Sequence, residues 1–257
     1  MTPALADYTT LGLGGRARSF VSAGTEPELI DAVKAADAAA DPVLLIGGGS
    51  NLVISDAGFP GTVIHVNTRG IGYADAPEGD GQGAVDVTVA AGQDWDDVVA
   101  ATVAEGLAGL EPLSGIPGRA GATPIQNVGA YGREVAELIT RVRVYDRQED
   151  QILIVGNEEC SFAYRTSLFK SAMPRYAAGD GLVKVPAAWL IEHAGFAKGY
   201  GAPAPARVSS KHTLALVNTG NATTADLMAL AGEIVSGVRS AYGVTLTPEP
   251  ILIGVSL

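Results

Sequence analysis

Apolar positions recur every three or four residues in four stretches of the chain, which predicts four helices. "TEPELIDAVKAADAAA" places Glu28 three residues after Thr25, the spacing of a capping box at a helix start. "DWDDVVAATVAEG" puts Trp95, Val98, Val99, Thr102 and Val103 on one face and stops at Gly106. "PAAWLIEHAG" opens on Pro186 and ends at Gly195, which suits a short helix. "TTADLMALAGEIVSGVRSAYG" aligns Leu227, Leu230, Ile234 and Val238 in one stripe and ends near Gly243. Short apolar or alternating runs predict strands at "VLLI" (43–46), "TVIHV" (62–66), "AVDVTVA" (84–90), "RVRVY" (141–145), "QILIV" (151–155), "TLALVN" (213–218) and "ILI" (251–253). Helices and strands mix without a regular βαβ rhythm, so the pattern implies an α+β fold with more than one small sheet. The polar "EGDGQG" (78–83) and the breaker-rich "GAPAPAR" (201–207) read as loops.

One interruption of the apolar pattern is unusual. In "PVLLIGGGSNLVISDAGFPGTVIHV" an apolar run meets Gly47, Gly48, Gly49, Ser50 and Asn51, then resumes at Leu52. A P-loop would need a Gly-Lys-Ser/Thr ending, and a Rossmann turn would open a helix. Here the loop runs from strand to strand. What remains is either a nest of backbone N–H groups around an anion, with Ser50 and Asn51 as added donors, or a tight turn without a ligand. A second cluster, "LSGIPGRAGATPIQNVGAYGRE", carries Gly115, Gly118, Gly121, Gly129 and Gly132 with Pro117, Pro124, Gln126 and Asn127. It has too few large apolar side chains to be held by packing alone, so it needs a hydrogen-bond network or a ligand to wrap. Two such loops on one chain suggest a long ligand with a pyrophosphate in its middle, a dinucleotide.

Composition narrows the partners. At 257 residues, 47% of them hydrophobic, the chain can build one large domain or two to three small ones. Its net charge of −11 disfavours a nucleic-acid partner but leaves room for a phosphorylated small molecule held by amides and local cations. A single cysteine, Cys160, excludes an internal disulfide and a thiolate metal site, and His65, His193 and His212 show no metal-ligand spacing. No metal is expected. The opening "MTPALADYTT" lacks the pattern of a secretory signal, and no apolar run reaches membrane-spanning length. The expectation is a cytoplasmic protein with no membrane partner.

Seven segments, in this order, carry a family resemblance: "YTTLGLGGRARSF", "IGGGSNLVISDAGFPGTVI", "GIPGRAGATPIQNVGAYGRE", "CSFAYRTSLFK", "PAAWLIEHAG", "VSSKHTLALVN" and "LTPEPILIG". On them the chain resembles the UDP-N-acetylenolpyruvoylglucosamine reductase family, flavoenzymes that complete UDP-N-acetylmuramate for peptidoglycan. The resemblance implies an FAD-binding fold of the PCMH/vanillyl-alcohol-oxidase type. Its two α+β subdomains would span 1–70, joined by a strand over 250–257, and 71–176; a shortened substrate domain would span 177–249. It implies bound FAD held by Gly47, Gly48, Gly49, Ser50, Asn51, Leu52, Gly115, Gly118, Ala122, Thr123, Asn127, Gly129 and Ala130. NADPH would be the hydride donor, a UDP-sugar the substrate, and the chain a monomer.

The family's chemistry also assigns side chains. Arg165 in "FAYRTSLFK" matches the arginine that binds and polarises the substrate carboxylate, a task suited to a planar fork that keeps its charge near neutrality. Tyr164 beside it would contact the substrate or pack in the core. Glu249 in "LTPEPILIG" matches the glutamate that stabilises the enol intermediate or takes part in its protonation; Pro248 and Pro250 stiffen its backbone. The family's Gly-Ser-Phe-Phe stretch with the proton-donor serine does not occur in these 257 residues. Where the family has a substantial segment, the text runs straight through "FKSAMPRYAAGDGLVKVPAAWL", with the junction between Tyr176 and Ala177. Ser161, Ser167 and Ser171 are nearby hydroxyls outside the donor motif. Three readings therefore stand: the full reductase, a flavin-binding relative without full turnover, or a flavin oxidoreductase of the same fold with another substrate.

Overall fold

All four expected helices form, and local side chains start three of them. The structure, a computed structural model, describes residues 1–77, 83–170 and 186–257. Most of the expected 78–83 turn, Ser171 and the Tyr176–Ala177 junction lie outside the described residues. After strand β1 (Ala17–Ala23), helix α1 (Glu26–Ala38) begins where Thr25 Oγ1 accepts from Glu28 N at 3.3 Å. Glu28 answers one residue early, accepting from Gly24 N at 2.8 Å, so the capping box is shifted.

Strands β2 (Val43–Ile46), β3 (Leu52–Ile54), β4 (Phe59–Val66), β5 (Ile71–Asp75) and β6 (Val85–Val89) follow. Helix α2 (Trp95–Ala104) is capped by Asp94 and buries Trp95, Val98, Val99 and Thr102. Val103 is half exposed, because it lies roughly 80° around the helix from Trp95.

Next come the two-residue strands β7 (Gly129–Ala130) and β8 (Arg133–Glu134), then β9 (Arg141–Asp146) and β10 (Gln151–Gly156). Helix α3 (Ala187–His193), β11 (Ala206–Val208), β12 (Leu216–Asn218), helix α4 (Thr224–Tyr242) and β13 (Ile251–Ile253) complete the order. In α4 the box is complete: Thr223 Oγ1 accepts from Asp226 N at 3.1 Å while Asp226 accepts from Thr223 N at 2.8 Å. The helix stops at Gly243, whose φ of +68° few other residues adopt cheaply.

One sheet has the order β1-β4-β2, with β2 and β4 parallel and Ile46 opposite His65. The pairs β5–β6, β7–β8, β9–β10 and β11–β12 are antiparallel, and β13 runs parallel to β3 with Ile251 opposite Leu52. The strand expected over 213–218 shortens to β12, and β11 begins inside the expected 201–207 loop. β1 carries no alternating signal, since only its end residues Ala17 and Ala23 are buried.

The chain divides into two compact units. One holds Met1–Phe20, Gly49–Gly61 and Ala177–Leu257; the other holds Val21–Gly48 and Thr62–Tyr176. The first is closed by β13 on β3 and by Leu13, Val53, Ala206 and Leu227 in one cluster. A second cluster there contains Leu190, Ile191, Phe196, Val208, Leu230, Ile234 and Val238, uniting α3, β11 and α4. The other unit is built on Trp95, Val98, Val99, Leu113, Val128 and Val135, with a smaller cluster of Ala23, Val33 and Ile64. Each of these fully buried aliphatic side chains contributes about 1.5–3 kcal/mol of transfer free energy. Among the described residues no helix is long and apolar enough to cross a membrane.

Candidate cofactor and substrate site

The two glycine clusters meet within one unit. β2 delivers the chain to Gly47 and Gly48, and a Cβ on Gly48 would stand 3.0 Å from the Gly118 Cα. A Cβ on Gly47 would press on the Arg119 stem, 3.2 Å from its Cγ. These glycines thus allow the second loop to lie directly on the first. In the other unit Gly49 has φ +59°, and a Cβ there would overlap the Tyr8 carbonyl. Ser50 and Asn51 continue the turn, and Leu52 enters β3.

The second loop is stitched to the residues around Asp94. Trp95 N donates to Gly118 O at 3.1 Å, Ala120 N to Gln93 O at 2.9 Å and Gly121 N to Ala91 O at 2.8 Å. Gly115 N and Ser114 Oγ both donate to Asp96 Oδ1, at 2.7 and 2.8 Å. The Gly115 amide, followed by the Ser114 hydroxyl, holds the Asp96 carboxyl below the usual carboxylate range. Ala122 N and Thr123 N close a 3-10 turn onto Arg119 O and Ala120 O, and Thr123 is buried. A hydrogen-bond network therefore holds much of this loop.

Arg119 is the residue that sequence reasoning missed. Its Nη1 lies 3.3 Å from Asp94 Oδ2 and its side chain is only 21% exposed. Its Nε is buried and, among the described residues, has no hydrogen-bond partner. Nearby, on β4, burial, Arg119 and Arg69, in that order, push His65 below its ordinary value. A cation set between Gly118 and Gly121 in a glycine cluster of an acidic chain was the available signal. The stacked loops and this orphaned donor suit a group that carries oxyanions, as FAD does.

A second constellation surrounds Arg165. Ala163 and Thr166 exchange both backbone hydrogen bonds at 3.0 Å, leaving Tyr164 and Arg165 at the corner of a tight turn. Arg165 has φ +54°, and its Nη2 donates to Gly129 O at 2.7 Å. Lys170 Nζ donates to Arg165 O at 3.0 Å. Among the described residues its other guanidinium nitrogens bond no protein acceptor, so an edge of the fork is available to a carboxylate. Tyr164 is 75% exposed with the guanidinium 5.9 Å from its ring centroid, so core packing is excluded.

Asn127, expected to hold cofactor, is 1% exposed and fully committed to protein. Its Nδ2 donates to Glu134 Oε2 at 2.6 Å and Ala163 O at 3.1 Å, and its Oδ1 accepts from Ala136 N. Its side chain clamps the Arg165 turn to the β7–β8 hairpin. Gly129 and Ala130 form β7, where Gly129 O serves Arg165. Glu249 is exposed, just before β13, in the other unit. Ser167 is fully buried and donates to Ile125 O, while Ser161 is exposed with φ +49°. Among the described residues no group of His, Cys, Asp and Glu could hold a metal ion.

The family described as FAD binding domain matches residues 17–155. The C-terminal domain family of UDP-N-acetylenolpyruvoylglucosamine reductase matches residues 160–253. By fold and site the chain is an α+β flavoprotein with FAD as its cofactor. It is 40% identical to the UDP-N-acetylenolpyruvoylglucosamine reductase of Thermobifida fusca over 351 positions, covering 98% of this chain and 97% of that protein. The Streptomyces avermitilis enzyme of the same name is 40% identical over 353 positions, covering 98% and 94%. The crystal structure of UDP-N-acetylenolpyruvylglucosamine reductase from Thermus caldophilus superposes with a TM-score of 0.70 at 26% identity, covering 98% and 97%. The chain belongs to the UDP-N-acetylenolpyruvoylglucosamine reductase family. Both alignments are longer than its 257 residues, so these relatives carry residues with no counterpart here.

Proposed function

We propose that this chain reduces the enolpyruvyl ether of UDP-N-acetylglucosamine to UDP-N-acetylmuramate with NADPH, acting as a cytoplasmic monomer in peptidoglycan precursor synthesis. The observation that carries this reading is the pair of glycine loops stacked Gly48 on Gly118, in the same unit as the Arg165 fork. When bound, FAD supplies the relay that takes hydride from NADPH and gives it to the β-carbon of the enolpyruvyl group. The cofactor would be held by Gly47, Gly48, Gly49, Ser50, Asn51 and Leu52 of the first loop. In the second, Gly115, Gly118, Ala122, Thr123, Asn127, Gly129 and Ala130 would border it.

Arg165 binds the substrate carboxylate and stabilises the negative charge that builds there as the β-carbon is reduced. Tyr164, exposed beside it, contacts the sugar nucleotide. Glu249 assists proton delivery to the α-carbon, which completes the addition of one hydride and one proton across the double bond. The second reading is flavin binding without full turnover. It is favoured by the missing Gly-Ser-Phe-Phe stretch and by alignments longer than the chain.

Anaerobic stopped-flow spectroscopy separates the two. NADPH should bleach the flavin absorbance, and the UDP-enolpyruvyl sugar should restore it. Bleaching without restoration selects the second reading. A protein that takes up no FAD overturns both.

A further inference from the structure

We propose that Arg119 is a cofactor-positioning residue whose guanidinium pairs with the diphosphate of FAD at the junction of the two glycine loops. The inference rests on the flavoprotein reading and adds to it a cationic contact within an otherwise backbone-built site.

Three features of the structure support it. Position is the first. Arg119 is fixed at the backbone by its bridge to Asp94, with Ala120 N on Gln93 O and Trp95 N on Gly118 O, so its Cα cannot drift. Its stem lies against Gly47, and the Nε stands two bonds beyond the Cγ that a Cβ on Gly47 would touch.

Unsatisfied chemistry is the second. Asp94 engages one terminal nitrogen of the guanidinium at 3.3 Å, while among the described residues the buried Nε finds no acceptor. A buried N–H without an acceptor is costly, and native proteins keep one where a ligand supplies the acceptor. The diphosphate is the part of FAD that offers oxyanions at a glycine-built turn. At that turn Gly48 has no Cβ to part it from the Gly118 backbone, so the two loops lie directly against each other beside the Arg119 stem.

Charge is the third. The protein carries −11 overall and so repels a dianion on average. Arg69 is anchored to Asn67 at 2.7 Å, and the electrostatic influence of Arg119 and Arg69 on His65 places both cations near β4. That influence disfavours a charged His65, so the local positive field comes from the two arginines.

The test is a titration of the full-length apoprotein with FAD and, separately, with riboflavin, followed by flavin fluorescence at low and high salt. Arg119→Gln keeps the stem on Gly47 and removes the charge. It should weaken FAD binding about 10- to 100-fold, the loss expected for one charge-assisted hydrogen bond. Riboflavin, which lacks phosphate, should bind wild type and variant equally, and the salt dependence of FAD binding should flatten in the variant. The midpoint potential of the bound flavin should not move. Unchanged FAD affinity overturns the proposal, as does an equal loss for riboflavin. A shifted potential with unchanged affinity also overturns it, because the arginine would then face the isoalloxazine. Thermal unfolding of the apoprotein checks the fold. Should the glutamine variant unfold, Arg119→Lys carries the test, and it must bind FAD more weakly than wild type with riboflavin unchanged. Wild-type protein that ignores FAD altogether overturns the flavoprotein reading itself, an outcome distinct from equal binding by wild type and variant.

Discussion

Arg165 sits at φ +54°, a region that costs a non-glycine L-residue about 1–2 kcal/mol, so its surroundings must hold it there. They do so from three sides. The Ala163–Thr166 bridge closes the turn, Lys170 grips its carbonyl, and Gly129 O takes one end of the guanidinium. A fork held this firmly loses little entropy on meeting a carboxylate, which is what charge stabilisation during hydride addition requires. Arg165→Ala should slow flavin reoxidation by the UDP-enolpyruvyl sugar by about 100-fold or more, leaving reduction by NADPH within about twofold. Stopped-flow traces of the two half-reactions check this, and equal slowing of both would remove the assigned role. Arg165 was legible in the sequence because the text around it carries the family motif. Asn127 was read as a cofactor ligand for the same reason. Its bond to Ala163 O reaches a turn 36 residues away, which no local pattern reveals.

Helices were the easiest elements to read, because both their cause and their signal are local. In α4 the cap, the stripe and the stop all lie within the segment itself. Leu227, Leu230, Ile234 and Val238 are buried as their spacing requires, and Thr223 and Asp226 satisfy each other's backbone amides. Thr223→Ala should cost about 1 kcal/mol of stability, read as a lower urea midpoint with an unchanged slope. Strands were harder. β1 and β5 have no clean alternation, since neighbouring strands and loops decide which side chains are covered. β11 grew out of a proline-rich loop because β12 pairs with it, Ala206 opposite Asn218.

For the molecule as a whole, the titrating groups share one direction on the acid side. Arg143 lowers Glu26, Arg147 lowers Asp37, and Lys34, ahead of Tyr145, lowers Asp150. Backbone amides lower Asp96, Glu111 and Asp226. Burial, more than the two arginines, lowers His65. For every one of these groups the unfolded chain binds protons more readily than the folded one, so stability falls as pH falls. Urea midpoints should therefore hold between about pH 6.5 and 8, slip slightly below that window as unfolded His65 takes up a proton, and drop steeply below about pH 4. His65→Gln should erase the first step and keep the second. The carboxylate pairs lie at the surface, so added salt should shrink their share.

By itself the sequence determined the α+β class, the four helices, both glycine turns and, through its motifs, the flavoprotein family. These follow from spacing and from residue type within short windows, where periodicity and backbone preference act. Only the tertiary structure decided that Gly48 lies on Gly118, that the Arg119 stem covers Gly47 with a buried nitrogen left over, and that the Asn127 side chain bonds Glu134 and Ala163. It also decided the partner and register of the last strand, β13 running parallel to β3 with Ile251 opposite Leu52. Each of those is a meeting of segments far apart along the chain, and such meetings are selected by the burial and hydrogen bonding of the whole molecule rather than by any window of it.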